Sequence, residues 1–248
     1  MPVNIKLYSM SMLVAWMSMV NVFAQDGADT EKTPTASKLQ IGVLFSPNAA
    51  FRTKIFNGGL GGANPSVKER TKRSETAIFG THVGFSVSYL FSKYFGIQSG
   101  VEYSLKGWQR DYVKYNDNTY GDLYEFRREI KRYHYLDVPL ALVVQSKGDK
   151  VRIGFTLGLV ANVFLKGSVT NATKLKNAST VSRVVGSENA IPVNLSPLIS
   201  FGWDIPFGNR FGLSIEPNFR HQLFSQESKS LEVRLWSVGL GLTCYLKP

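Results

Sequence analysis

The chain has 248 residues, a formal net charge of +11 and a single cysteine, Cys244. The length suits one large β domain or two small ones, and the charge admits nucleic acid, anionic lipid or lipopolysaccharide as a neighbour without choosing among them. One cysteine excludes an intrachain disulfide and a cysteine-rich zinc site.

The amino terminus, "MPVNIKLYSMSMLVAWMSMVNVFAQ", sets Lys6 ahead of an apolar run from Leu7 to Val20, followed by Val22-Phe23-Ala24. That is the layout a signal peptidase reads, and the run of about fourteen residues is short of the roughly 20 that span a bilayer. Residues 1–24 therefore read as a signal peptide. Residues 25–37, "QDGADTEKTPTAS", read as a flexible polar segment in the periplasm, and 38–248 as the folded domain. No cysteine sits at the cleavage point, which excludes a lipoprotein.

From Lys38 onward apolar and polar residues alternate with the two-residue period of a strand that separates two environments. Eight such segments are predicted. The first, near Lys38 to Ala49, sets Leu39, Ile41, Val43 and Phe45 on one face; the second, near Ile78 to Phe91, does so with Phe79, Val83, Phe85 and Val87. The third runs near Tyr94 to Trp108, the fourth ends at Gln145, and the fifth is "VRIGFTLGLVANVFLKG", Val151 to Gly167. The sixth lies near Asn194 to Phe207, the seventh begins at Phe211, and the eighth spans about Glu232 to Leu246. Opposite the apolar faces stand mostly glycine, serine, threonine and asparagine. A water-facing exterior would carry long charged side chains, whereas small polar residues fit the inside of a narrow barrel. The apolar face thus points outward to lipid. Short turns at "SKY" (Ser92 to Tyr94), "SKGDK" (Ser146 to Lys150) and "PFGNR" (Pro206 to Arg210) alternate with long links around Phe51 to Ala77, Gln109 to Arg127, Ser168 to Val193 and Phe224 to Leu231. The prediction is an all-β, eight-stranded antiparallel up-and-down transmembrane barrel with short periplasmic turns and long extracellular loops.

The segments "HVGFSVSYLFSKYFGIQSGVEYSLKG", "YHYLDVPLALVV" and "RLWSVGLGLTCYL" resemble the PorT-like small outer-membrane β-barrel proteins of Bacteroidetes-type bacteria across nearly the whole mature chain. That family opens its fourth strand with an aromatic residue, Leu, an acid, an aliphatic and Pro, matched by Tyr135, Leu136, Asp137, Val138 and Pro139. The resemblance implies a bacterial outer-membrane location; one departure is the ending "CYLKP", where such barrels finish on an aromatic residue.

Candidate site residues are charges on the inward face: Glu102, Lys106, Asp137, Arg152, Glu216 and Arg220, with Asp204 beside them. Charges in a low-dielectric interior persist when paired and hydrogen-bonded, so a structural network is expected, with Arg220 and Lys106 neutralising Glu102 and Glu216. Together with Gln98, Tyr133 and Tyr135 these side chains should fill the lumen. Pro139 removes a ladder donor and predicts a local bend. Of the three histidines, His82 should face the lumen, and His134 and His221 outward, near the membrane rim. No catalytic constellation, metal-ligand spacing or cofactor motif is evident, the glycine run Asn57 to Ser66 lacking the Gly-Lys-Ser/Thr of a phosphate loop. The densest basic cluster, Lys68, Arg70, Lys72 and Arg73, falls in the first extracellular loop, where lipopolysaccharide phosphate rather than nucleic acid is the available anion. The expected function is non-enzymatic, a structural or interaction role through the extracellular loops, with outer-membrane lipid, lipopolysaccharide and an envelope protein as partners. Two alternatives are an accessory component of a secretion or uptake machine, and a lipid A-modifying enzyme built on a lipid-facing Ser-His pair.

Overall fold

The computed structural model describes residues 39–56, 75–113, 124–148, 150–175, 179–185, 190–208, 210–226 and 231–247. The segments read as signal peptide and linker, the glycine run and the basic cluster Lys68, Arg70, Lys72 and Arg73 lie outside them. The described chain forms ten strands: β1 (Leu39–Phe56), β2 (Glu75–Thr76), β3 (Ile78–Leu90), β4 (Phe95–Val113), β5 (Tyr124–Gln145), β6 (Arg152–Leu175), β7 (Ser179–Val185), β8 (Val193–Phe207), β9 (Phe211–His221) and β10 (Leu231–Leu246).

Eight of them close a ring. β1 pairs with β3, then β4, β5, β6, β8, β9 and β10 follow in order, and β10 returns to β1, every pairing antiparallel. Closure leaves no unpaired edge in the membrane, which a lipid environment demands of a sheet. The pleat sorts the side chains as the alternation predicts. Ile41, Val43, Phe45, Phe85, Leu140, Leu159 and Phe201 are exposed on the outside, while Ser46, Ser86, Thr156, Ser200 and Asn218 are buried on the inside.

The strands run further than the alternation indicates. β4, β5 and β6 continue into the predicted long links, β2 adds two residues beside β4, and β7 folds back on the far end of β6. Stretches such as "FRREIKRY" and "GSVTNATK" carry polar residues at both parities, so they offer no two-period contrast to read.

A closed ring has no edge to receive a proline, and four of the five prolines inside strands adjoin a gap in one ladder. Pro139 is paired with Val160 of β6, while on its other side β4–β5 pairing lapses between Ser99/Leu140 and Glu102/Asp137. Pro217 interrupts β8–β9, Pro47 interrupts β1–β10, and β8–β9 pairing stops at Leu198, next to Pro197. A residue without an N–H cannot donate to the ladder. Beside Pro139 the gap is partly filled by Ser99 Oγ, which donates to the Pro139 carbonyl at 2.9 Å. Pro139 itself causes no register shift: the β5–β6 ladder shifts between His134 and Tyr135, where Leu165 of β6 is the extra residue, and again between Tyr124 and Phe126 near its far end.

Candidate functional site

Cross-strand register assembles the lumen. Glu102 of β4 stands directly opposite Asp137 of β5, Asp137 opposite Asn162 of β6, and Asn162 opposite Asn194 of β8. Two carboxylates face to face repel, and the remedy comes from across the barrel. Arg220 of β9 places Nη1 at 2.7 Å from Glu102 Oε2 and 3.5 Å from Asp137 Oδ2, bridging the pair. Lys106, on the same inward face of β4 as Glu102, donates from Nζ to Asp137 Oδ2 at 3.0 Å. Asn162 Nδ2 donates to Asp137 Oδ1 at 2.7 Å, and Ser196 Oγ in turn donates to Asn162 Oδ1 at 2.5 Å. Two acids thus meet two bases in a knot tied to five strands. All four charged residues are at most 4% exposed.

His82 adjoins the knot, fully buried, with Nδ1 at 3.6 Å from Glu102 Oε2 and no hydrogen bond at either ring nitrogen. His82, Glu102 and Asp137 could each turn a ligand atom to a common point. A metal ion does not fit there, because both carboxylates already accept from Arg220 or Lys106, and two fixed cations would repel a third.

Two apolar clusters bracket these charges. Above them Trp108, Tyr133, Tyr135 and Leu235 pack together with Phe164, and Tyr135 donates its hydroxyl to Gln226 Oε1 at 2.5 Å. Below them lie Ala141, Val160 and Leu198. Gln226, from the segment after β9, is fully buried, a lumen role that its place in a predicted loop did not signal.

The remaining inward charges form separate groups, which corrects the single network expected from the sequence. Arg152 pairs with Asp204 at 2.6 Å, directly across the β6–β8 ladder, and Tyr245 donates its hydroxyl to the same carboxylate. Tyr245 can lie there because its cross-strand neighbour is Gly212, where a Cβ would collide with the phenol oxygen. Glu216, for which the sequence predicts a neutralising cation, accepts instead from Ser200 Oγ at 2.8 Å and Ser214 Oγ at 2.6 Å, while Arg220 reaches past it to Glu102. Two adjoining cavities near Glu216 have volumes of about 60 and about 40 Å³.

Above the aromatic cluster lies a further group that sequence reasoning missed. The Arg52 guanidinium lies 3.1 Å from the centre of the buried Trp108 ring, and Arg52 and Arg110 both bind Glu75. These residues fall where "long links" concealed the ends of β1, β2 and β4. On the outer surface, His134 Nδ1 is hydrogen-bonded to the Tyr103 phenol, and His221 pairs across the ladder with Trp236.

A family model for the outer membrane protein beta-barrel domain matches residues 23–220. Among solved structures, the chain is similar to Neisserial surface protein A (9% identity, TM-score 0.42, covering 84% of this chain and 97% of that one). It is also similar to the outer membrane protein OprG from Pseudomonas aeruginosa (12%, TM-score 0.38, 84% and 96%) and the outer membrane protease OmpT from Escherichia coli (7%, TM-score 0.43, 88% and 99%). No curated protein matches the chain significantly.

Proposed function

The chain belongs to the outer membrane protein beta-barrel domain family, and from that premise we propose that it is a non-enzymatic barrel, closed to solutes, that serves a structural or interaction role through its extracellular end. The family and the closed eight-strand ring place it in the outer membrane. The observation that carries the closed lumen is the stack of inward groups: Arg152 with Asp204 and Tyr245, the four-charge knot, and the Trp108–Tyr135 cluster. Between them remain cavities of about 60 and about 40 Å³, room for a few waters at about 10–15 Å³ each. Protein in planar bilayers should therefore show no steady unitary conductance. A reproducible ion current from the wild-type barrel would overturn the closed reading.

Within the family we read the chain as a PorT-like member. The Tyr135 to Pro139 motif supports this because every position in it has a distinct role, with Tyr135 in the aromatic cluster, Leu136 and Val138 toward lipid, Asp137 in the knot and Pro139 at the ladder gap. The non-enzymatic reading draws on the contact at His134 Nδ1, which is the Tyr103 phenol; a lipid-facing acyl hydrolase would need a serine hydroxyl at its base.

A second reading, an accessory component of a secretion or uptake machine, draws on β7. This strand pairs with β6 alone among the described residues and leaves Val181 and Val184 70% and 62% exposed. An unpaired edge bearing apolar side chains suits addition of a partner strand. Substituting Val181→Lys and Val184→Lys should abolish co-purification of an envelope partner in mild detergent under this reading, and leave it unchanged if the loops alone make contact.

A further inference from the structure

On the outside of the barrel the apolar band ends abruptly. Along β5 the outward residues Leu142, Leu140, Val138 and Leu136 are exposed aliphatics, and the next two outward positions are His134 and Arg132. His134 stands about ten residues beyond Val144, which at roughly 3.3 Å per residue and a tilt of about 40° is about 25 Å, the height of the lipid-facing band in such barrels. These side chains meet the plane where outer-leaflet hydrocarbon gives way to headgroups.

A bulge brings a third group to the same place. On β6, Asn162 is buried and Phe164 packs edge-on against Tyr135, so strict alternation would send Lys166 into the lumen after them. The extra residue Leu165 shifts the register: Tyr135 pairs with Phe164, but His134 pairs with Lys166. Leu165 and Lys166 are consequently both exposed, the re-aiming that a bulge performs. Lys166 thus faces His134 across the ladder, within reach of its side chain, and Arg132 lies two residues along the same face. The Tyr103 phenol on Nδ1 fixes the imidazole. Arg128, further out, is neutralised by Asp111 at 2.7 Å. Arg132 and Lys166 have no carboxylate partner among the described residues.

We propose that Arg132, His134 and Lys166, with Tyr103 as the group that positions the imidazole, bind the headgroup phosphate of lipid A in the outer leaflet. The guanidinium offers paired N–H donors to phosphate oxygens, the ammonium adds a second charge, and the acyl chains lie on Leu136, Val138 and Leu140 directly below. The proposal rests on the outer-membrane placement of the barrel and not on its lumen being closed.

The test is native mass spectrometry of the mature barrel released from detergent micelles containing lipid A, or the same lipid after enzymatic removal of its phosphates. The wild type should retain the phosphorylated lipid preferentially, and R132Q/K166Q should weaken that retention about 30-fold. R128Q, which removes a cation already taken by Asp111, should leave it within about twofold. Unfolding of the double variant in detergent should match the wild type, since both side chains lie on the surface. Equal retention of the two lipids by the wild type, or undiminished retention by R132Q/K166Q, would overturn the site; displacement of lipid A by millimolar inorganic phosphate would overturn its assignment to a lipid. Conductance of the same variant tests the closed lumen separately.

Discussion

At the scale of single residues, the lumen shows how a buried charge is made tolerable. Asp137 accepts from Lys106 at 3.0 Å and Asn162 at 2.7 Å, with Arg220 Nη1 at 3.5 Å. Removing its charge leaves Lys106 buried without an opposite partner, and breaking such a pair is strongly destabilising. Asp137→Asn should therefore lower the unfolding free energy in detergent by about 3–5 kcal/mol, less any water that enters. Adding Lys106→Met removes the stranded cation while leaving Arg220 on Glu102, so the double variant should regain more than half of the loss. A double-mutant cycle measures this coupling, and additive losses would contradict the pairing. Glu216 provides the contrast. Held by Ser200 and Ser214, it should couple to Arg220 more weakly than Asp137 does to Lys106 in the same assay.

At the scale of elements, each strand obeys two rules that change along its length. Inside the bilayer, alternation is strict because one face meets lipid and the other a narrow polar lumen; above it, β5 and β6 pair on with no such contrast. Depth then governs what a substitution costs. Leu159 lies on β6 within the apolar band and is 51% exposed, whereas Leu39 begins β1 at the periplasmic end. Leu159→Arg should cost about 2–4 kcal/mol in a folding assay in lipid and Leu39→Arg about 0–1. Equal tolerance at the two sites would contradict the assigned depth. At the Leu165 bulge the wall departs from alternation, and Lys166 turns from the lumen side to the outer surface.

At the scale of the whole molecule, ring closure joins residues far apart in the chain: β1 meets β10, and Arg220 meets Glu102 and Asp137. Alternation made the eight-strand count, the lipid-facing set and the inward placement of Glu102, Lys106, Asp137 and Arg220 legible in the sequence, because a two-residue period survives in any strand that separates lipid from a polar interior. The short turns made the up-and-down connectivity legible as well. Pairing was not, since it depends on strand tilt and on which side chains converge across the lumen. Arg220 therefore meets Glu102 and Asp137 rather than Glu216, and Arg152 stands apart with Asp204. The extracellular ends of β4, β5 and β6, the Arg52–Trp108–Glu75 group and the lumen role of Gln226 stayed hidden where both faces were polar or where the chain returned from a turn. The sequence by itself determined what faces inward and what faces lipid, because that choice is made residue by residue through burial. Only the tertiary structure decided which charges neutralise each other and that Lys166 turns outward, because register and the bulge are set by neighbouring strands and leave no trace in the strand's own pattern.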